Sequence, residues 1–128
     1  MSIEERVRVA VAEGLALSVD EVQLHHTISD DLGAESLDYL DIVFRLEEAF
    51  GIQITRGEIE AAARGDLSDD EFAPDGVISE LGLERLRELM PESADRIGPG
   101  LKPGRVLELF KVQTFVRIVS AKLPGEAQ

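Results

Sequence analysis

The sequence contains no cysteine. Disulfide frameworks and thiolate metal sites are therefore excluded, and any thiol chemistry must use a sulfur that the chain does not encode. It has no apolar run long enough to span a bilayer and no signal-peptide pattern, so a cytoplasmic location without stable membrane insertion is expected. It is also short of bases. Thirteen Lys and Arg stand against 26 Asp and Glu, giving a formal net charge of −13. That charge argues against nucleic-acid binding and against adsorption to anionic membranes, and it favours partners with basic patches.

What is present is enough for a folded core. The chain has 128 residues and 44% hydrophobic content, which predicts one domain. Ser2 and Glu5 form a capping box that opens a first helix, read to about Leu17, with Ile3, Val7, Val11 and Leu15 on one face and Ala10 beside them. Ser18 to Val22 reads as a short capped turn. Val22, Leu24, Ile28 and Leu32 are spaced as anchors of a long connection that runs to Glu35, and Gly33 is expected to permit a tight or positive-φ turn. His25 and His26 are adjacent in this loop and do not form a metal pair.

The polar stretch Asp30-Asp31-Leu32-Gly33-Ala34-Glu35 ends at Ser36, which is read as an N-cap. The helix after it runs from Leu37 to Phe50, with Gly51 as its stop. Tyr39, Ile42, Val43, Leu46, Ala49 and Phe50 make one apolar stripe, expected to face the core. Leu37, Leu40 and Phe44 make a second, offset stripe. Asp38, Asp41, Glu47 and Glu48 lie between and beside the two. An exposed apolar strip bordered by acids is a protein-recognition pattern; the alternative is that the second stripe only widens the core face.

Asp31-Leu32-Gly33-Ala34-Glu35-Ser36-Leu37-Asp38, followed by Leu46-Glu47-Glu48-Ala49-Phe50-Gly51-Ile52-Gln53-Ile54, resembles the acyl carrier protein family. The family motif is Asp-Ser-Leu, and Glu35 keeps the charge of its aspartate. The resemblance implies an all-α, up-and-down four-helix bundle. It implies 4′-phosphopantetheine, derived from coenzyme A, attached to Ser36 by a phosphopantetheinyl transferase, with an acyl chain held as a thioester on the arm. It further implies recognition by acyl-transferring and acyl-modifying enzymes with basic docking patches. Their contacts on this chain would be Glu35, Leu37, Asp38, Leu40, Asp41, Phe44, Glu47 and Glu48. The protein would act as a monomer and not as an enzyme. The missing cysteine fits, since the arm brings its own sulfur.

Gly57 to Ala63 reads as a short helix, where the family has a third helix that walls the acyl pocket. About forty further residues, roughly 64–107, have no counterpart in the family and are read as an insertion expected to reshape that pocket. Within them, Asp66 to Glu71 reads as a solvated acidic loop. Val77 to Met90 reads as an added helix with Leu83, Leu86 and Met90 on one face, and Ile97 to Arg105 is rich in Gly-Pro turn signals. A last helix carries Val112, Phe115, Val116, Val119 and Leu123 on one face and ends at Pro124-Gly125. Phe110 and Lys111 replace the threonines that usually cap it.

Ser36 and its surroundings also admit other functions. A hydrolase with Ser36 as nucleophile lacks the Gly-x-Ser-x-Gly elbow and has only the two loop histidines as bases. An unmodified helical interaction module and a peptidyl or aryl carrier remain alternatives. The acidic surroundings of Ser36 lean towards a carrier of fatty-acyl type.

Overall fold

A computed structural model of the chain describes residues 2–55, 64–65 and 67–123. The short helix expected at Gly57 to Ala63, Asp66 and the expected Pro124-Gly125 stop lie outside the described residues. The architecture is all-α: the described residues contain helices and no β-strand, apart from one isolated bridge between Thr27 and Lys111. The chain divides into two compact units, Met1–Ile54 with Phe110–Gln128, and Thr55–Leu109. The residues expected as an insertion fall inside the second unit.

In the first unit, helix α1 spans Ile3–Leu15. Ser2 caps it, its Oγ accepting the Glu5 N–H at 3.1 Å while it donates to the Glu5 carboxylate. Val7, Ala10, Val11 and Ala12 are buried, as the apolar spacing requires. The helix ends at Ala16, which takes the left-handed conformation usually left to glycine (φ 57°). A 3₁₀ turn follows at Val19–Glu21. Helix α2 spans Ser36–Phe50 and closes on Gly51 at φ 66°. Its buried side is Tyr39, Ile42 and Leu46. Ala49, placed by periodicity with the core stripe, is exposed, and Val43 and Phe50 are half-buried. Arg6 explains this rim: its guanidinium donates to the Ala49 carbonyl and stacks 4.2 Å over the Phe50 ring.

The last helix of this unit spans Val112–Lys122. Lys111 takes the N-cap position and donates its backbone N–H to the Thr114 hydroxyl at 3.0 Å. Thr114 thus supplies the half of a capping box in which the third helical residue reaches back to the N-cap N–H. Val112, Phe115, Ile118 and Val119 are buried; Val116 and Leu123 are only half-buried. Helix α1 packs against both α2 and this last helix, so it is the spine of the unit.

The second unit has its own core of Phe72, Ile78, Leu83, Leu86, Met90, Ile97, Val106 and Leu109. Helix α3 spans Asp69–Phe72, where a solvated acidic loop was expected. Ser68 and Glu71 form a capping box, with Glu71 N to Ser68 Oγ at 3.2 Å and Ser68 N to Glu71 Oε1 at 3.0 Å, and this closes one helical turn over the buried Phe72. Helix α4 spans Glu80–Leu89, shorter than the expected Val77 to Met90. Ser79 sets its start by accepting the Gly82 N–H at 3.0 Å. Leu83, Leu86 and Met90 are buried together as their spacing predicts. Two 3₁₀ segments follow at Pro91–Arg96 and Pro103–Leu109. The helix of Val112–Lys122 is α5 in this order.

Candidate functional site

The loop before α2 is held by backbone pairing. Ile28 N donates to the Phe110 carbonyl at 2.9 Å, Val112 N to His26 at 3.0 Å and Gln113 N to Leu24 at 3.0 Å. The loop is thus laced to the start of α5, with Val22 and Ile28 fully buried as anchors and Leu24 and Leu32 half-buried. A second set of bonds turns it. Thr27 N donates to Asp31 Oδ2 at 2.8 Å, and Asp31 N returns to the Thr27 hydroxyl at 2.9 Å. Gly33 N reaches Ser29 and Ala34 N reaches Ile28. Gly33 stands at φ 75°, as expected. The Thr27 amide bond is the main cause holding the Asp31 carboxyl below its ordinary pKa; desolvation opposes it.

This turn delivers the chain to α2 at a fixed residue. Glu35, extended at φ −105° and ψ 173°, is the N-cap, and Ser36 is the first helical residue. Ser36 is therefore not the cap that its residue type suggested. The reason is Asp38, whose carboxylate accepts the Glu35 N–H at 2.8 Å and supports Glu35 in the capping position. The surroundings suit a bulky anionic substituent. A side chain at Gly33 would meet nothing within 4 Å, and Glu35 and Leu37 are exposed. The first N–H groups of an α-helix lack intrahelical partners, and its dipole favours an anion there.

The second stripe does not widen the core. Leu37 is 77% exposed, Leu40 68% and Phe44 57%. These three share one open face of α2 and lie among acids. Glu35 and Glu48 are exposed, while Asp38, Asp41 and Glu47 are half-buried. Three of the acids also have structural work. Asp38 holds the cap, Asp41 accepts from Arg45 Nε at 2.9 Å, and Glu47 accepts the Ile54 N–H at 2.8 Å, fixing the chain beyond the helix.

Sequence reasoning missed Arg45. It is the one base of α2, and its place four residues after Asp41 was the available signal. It also missed Gly14. A Cβ there would stand 3.0 Å from Ile42 Cγ1 and 3.3 Å from Asp41 Oδ2, so the glycine lets α1 approach α2 closely. The histidines stay in the loop: their rings lie 4.7 Å apart, and His26 Nδ1 accepts the Gln23 N–H. Among the described residues no cluster of three or more His, Asp or Glu could hold a metal, and no helix is long and apolar enough to cross a membrane.

A family model described as a phosphopantetheine attachment site matches residues 5–64. An acyl carrier protein of Campylobacter hominis is 45% identical over 60 residues, which cover 47% of this chain and 76% of that protein.

Proposed function

The chain belongs to the acyl carrier protein family, and from that premise we propose that its arm is attached at Ser36 and presents an acyl thioester of fatty-acyl type to enzymes of fatty-acid or related lipid or polyketide synthesis. As a member of the family it is a carrier and not an enzyme, and it bears covalently attached 4′-phosphopantetheine. The arm supplies the thiol that the sequence lacks.

The observation that carries the assignment is positional. Ser36 opens a 15-residue helix at the end of a loop pinned by its own hydrogen bonds, beside exposed Leu37 and an open Gly33. The chain's own residues then have separable tasks. The loop and the Asp38 bond fix where the helix begins. The exposed Leu37, Leu40 and Phe44 offer apolar contacts to a partner, and Glu35, Asp38, Asp41, Glu47 and Glu48 offer charge. The partners would be a phosphopantetheinyl transferase and acyl-handling enzymes with basic patches, meeting a cytoplasmic monomer.

Incubation with coenzyme A, magnesium and a phosphopantetheinyl transferase, followed by intact mass, tests the reading. One arm per chain is expected; a protein that stays unmodified under conditions that load an ordinary carrier refutes it. The loading rate should also fall with added salt, because exposed charges are screened beyond about 8 Å at physiological ionic strength. Reversing Asp38 and Asp41 to lysine should slow loading. An unchanged rate at low salt would leave those acids with a structural role only.

A further inference from the structure

The open face of α2 carries one cation, and that cation is already engaged. Arg45 Nε donates to Asp41 at 2.9 Å, and Nη1 stands 3.9 Å from Glu13 Oε1 on α1. The three side chains remain 41%, 46% and 61% exposed for Arg45, Asp41 and Glu13. Together with Phe44, Glu48 and Ala49 they line a shallow surface depression of ≈ 380 Å³. Three carboxylates therefore surround one guanidinium, with an exposed aromatic ring beside them. Gly14 makes the arrangement possible, since a side chain there would crowd the Asp41 carboxylate. Solvent-exposed ion pairs of this kind are weak and exchange readily.

We propose that Arg45 holds, in the free protein, the place that a partner's arginine or lysine takes on docking. The incoming cation replaces Arg45 at Asp41 and Glu13, and an apolar side chain next to it covers Phe44 and Ala49. The fitting partner is an enzyme surface with a cation adjoining an exposed apolar residue. The depression leaves a surplus of negative charge for it, and the open ring supplies the apolar contact. Two consequences follow. The docking face extends onto α1 at Glu13. Arg45 sets specificity, because a partner must compete with it, and a partner lacking a suitably placed cation gains nothing from these carboxylates.

The inference rests on the reading that α2 docks basic partners, and the test separates the two. The measurement is steady-state loading of the full chain by a phosphopantetheinyl transferase with coenzyme A and magnesium, at low and high salt. Arg45→Gln should lower KM for the carrier by about threefold to tenfold at low salt with kcat unchanged. That gain should vanish near 1 M salt, where the screening length is about 3 Å. Glu13→Gln should raise KM. Arg105→Gln changes the net charge equally outside this site and should leave KM where it was. An unchanged or raised KM for Arg45→Gln, or an equal fall for Arg105→Gln, overturns the proposal. If Leu37→Ala and Asp38→Asn raise KM in the same experiment, only the role of Arg45 has failed. If they too leave KM unchanged, the docking role of α2 fails and this inference with it.

Discussion

Asp31 shows how a residue that never touches cargo can set the site. Its carboxylate and the Thr27 amide fold the loop that delivers Ser36 to the start of α2. Because that bond depresses the folded-state pKa, Asp31 contributes stability that is fully present above its unfolded pKa of about 3.9 and is lost as pH falls through the lower folded value. Replacing Asp31 with asparagine should flatten this part of the acid limb, read as melting temperature against pH. A limb of unchanged steepness would show that other carboxylates govern it. Glu47 makes a parallel case. Its bond to Ile54 N predicts that Glu47→Ala costs about 1–3 kcal/mol, because it strands a buried-side donor, whereas Glu48→Ala, at an exposed position, should stay within about 0.5 kcal/mol. Denaturant melts of the two variants compare them directly. Neither the Glu47 bond nor the Asp38 bond was legible in sequence. Both acids looked like surface charge, and a carboxylate that reaches a backbone N–H looks the same in sequence as one that faces water.

At the scale of elements, what repeats with a helical period was readable and what depends on one local bond was not. α1 and α2 lie where the apolar spacing placed them, to within a residue or two, although Glu35 and not Ser36 caps α2, and α5 carries the apolar residues Val112 to Val119 of the expected last helix. α3 was misread because its acids dominate the composition, although Ser68 and Glu71 carry the capping-box spacing. α4 begins later than its apolar run because Ser79 both accepts Gly82 N–H and donates to the Glu71 carbonyl at 2.6 Å. Gly82 sits inside this knot. A Cβ there would lie 2.8 Å from both Ile78 Cγ2 and the Phe72 carbonyl oxygen. Helix propensity alone would favour alanine by about 1 kcal/mol. The close contact includes backbone, so we expect Gly82→Ala to destabilise by about 1–3 kcal/mol instead. A stabilised variant in a thermal melt would contradict the packing described for α3 and α4.

At the scale of the whole chain, the family model matches residues 5–64, and the second unit is where sequence reasoning had least to work with. Its 3₁₀ segments at Pro91–Arg96 and Pro103–Leu109 have no i, i+4 apolar repeat to reveal them, and the Gly-Pro signals near them read as loop. Yet the unit has a core of its own. Amide exchange should therefore show protection across Glu80–Leu89, and Leu86→Ala should remove it at a cost of about 2–5 kcal/mol. Random-coil exchange there in the native chain would contradict a folded second unit.

The most direct test of the central claim is site-resolved. The chain and its Ser36→Ala variant are incubated with coenzyme A, magnesium and a phosphopantetheinyl transferase, digested, and read by fragment mass spectrometry. Loss of one hydroxyl at a helix start typically costs about 1 kcal/mol, so a folded variant is available for comparison. The arm is expected on the peptide bearing Ser36 in the native chain and on no peptide of the variant. An arm on any other residue, or a Ser36→Ala chain that still acquires one, would contradict it.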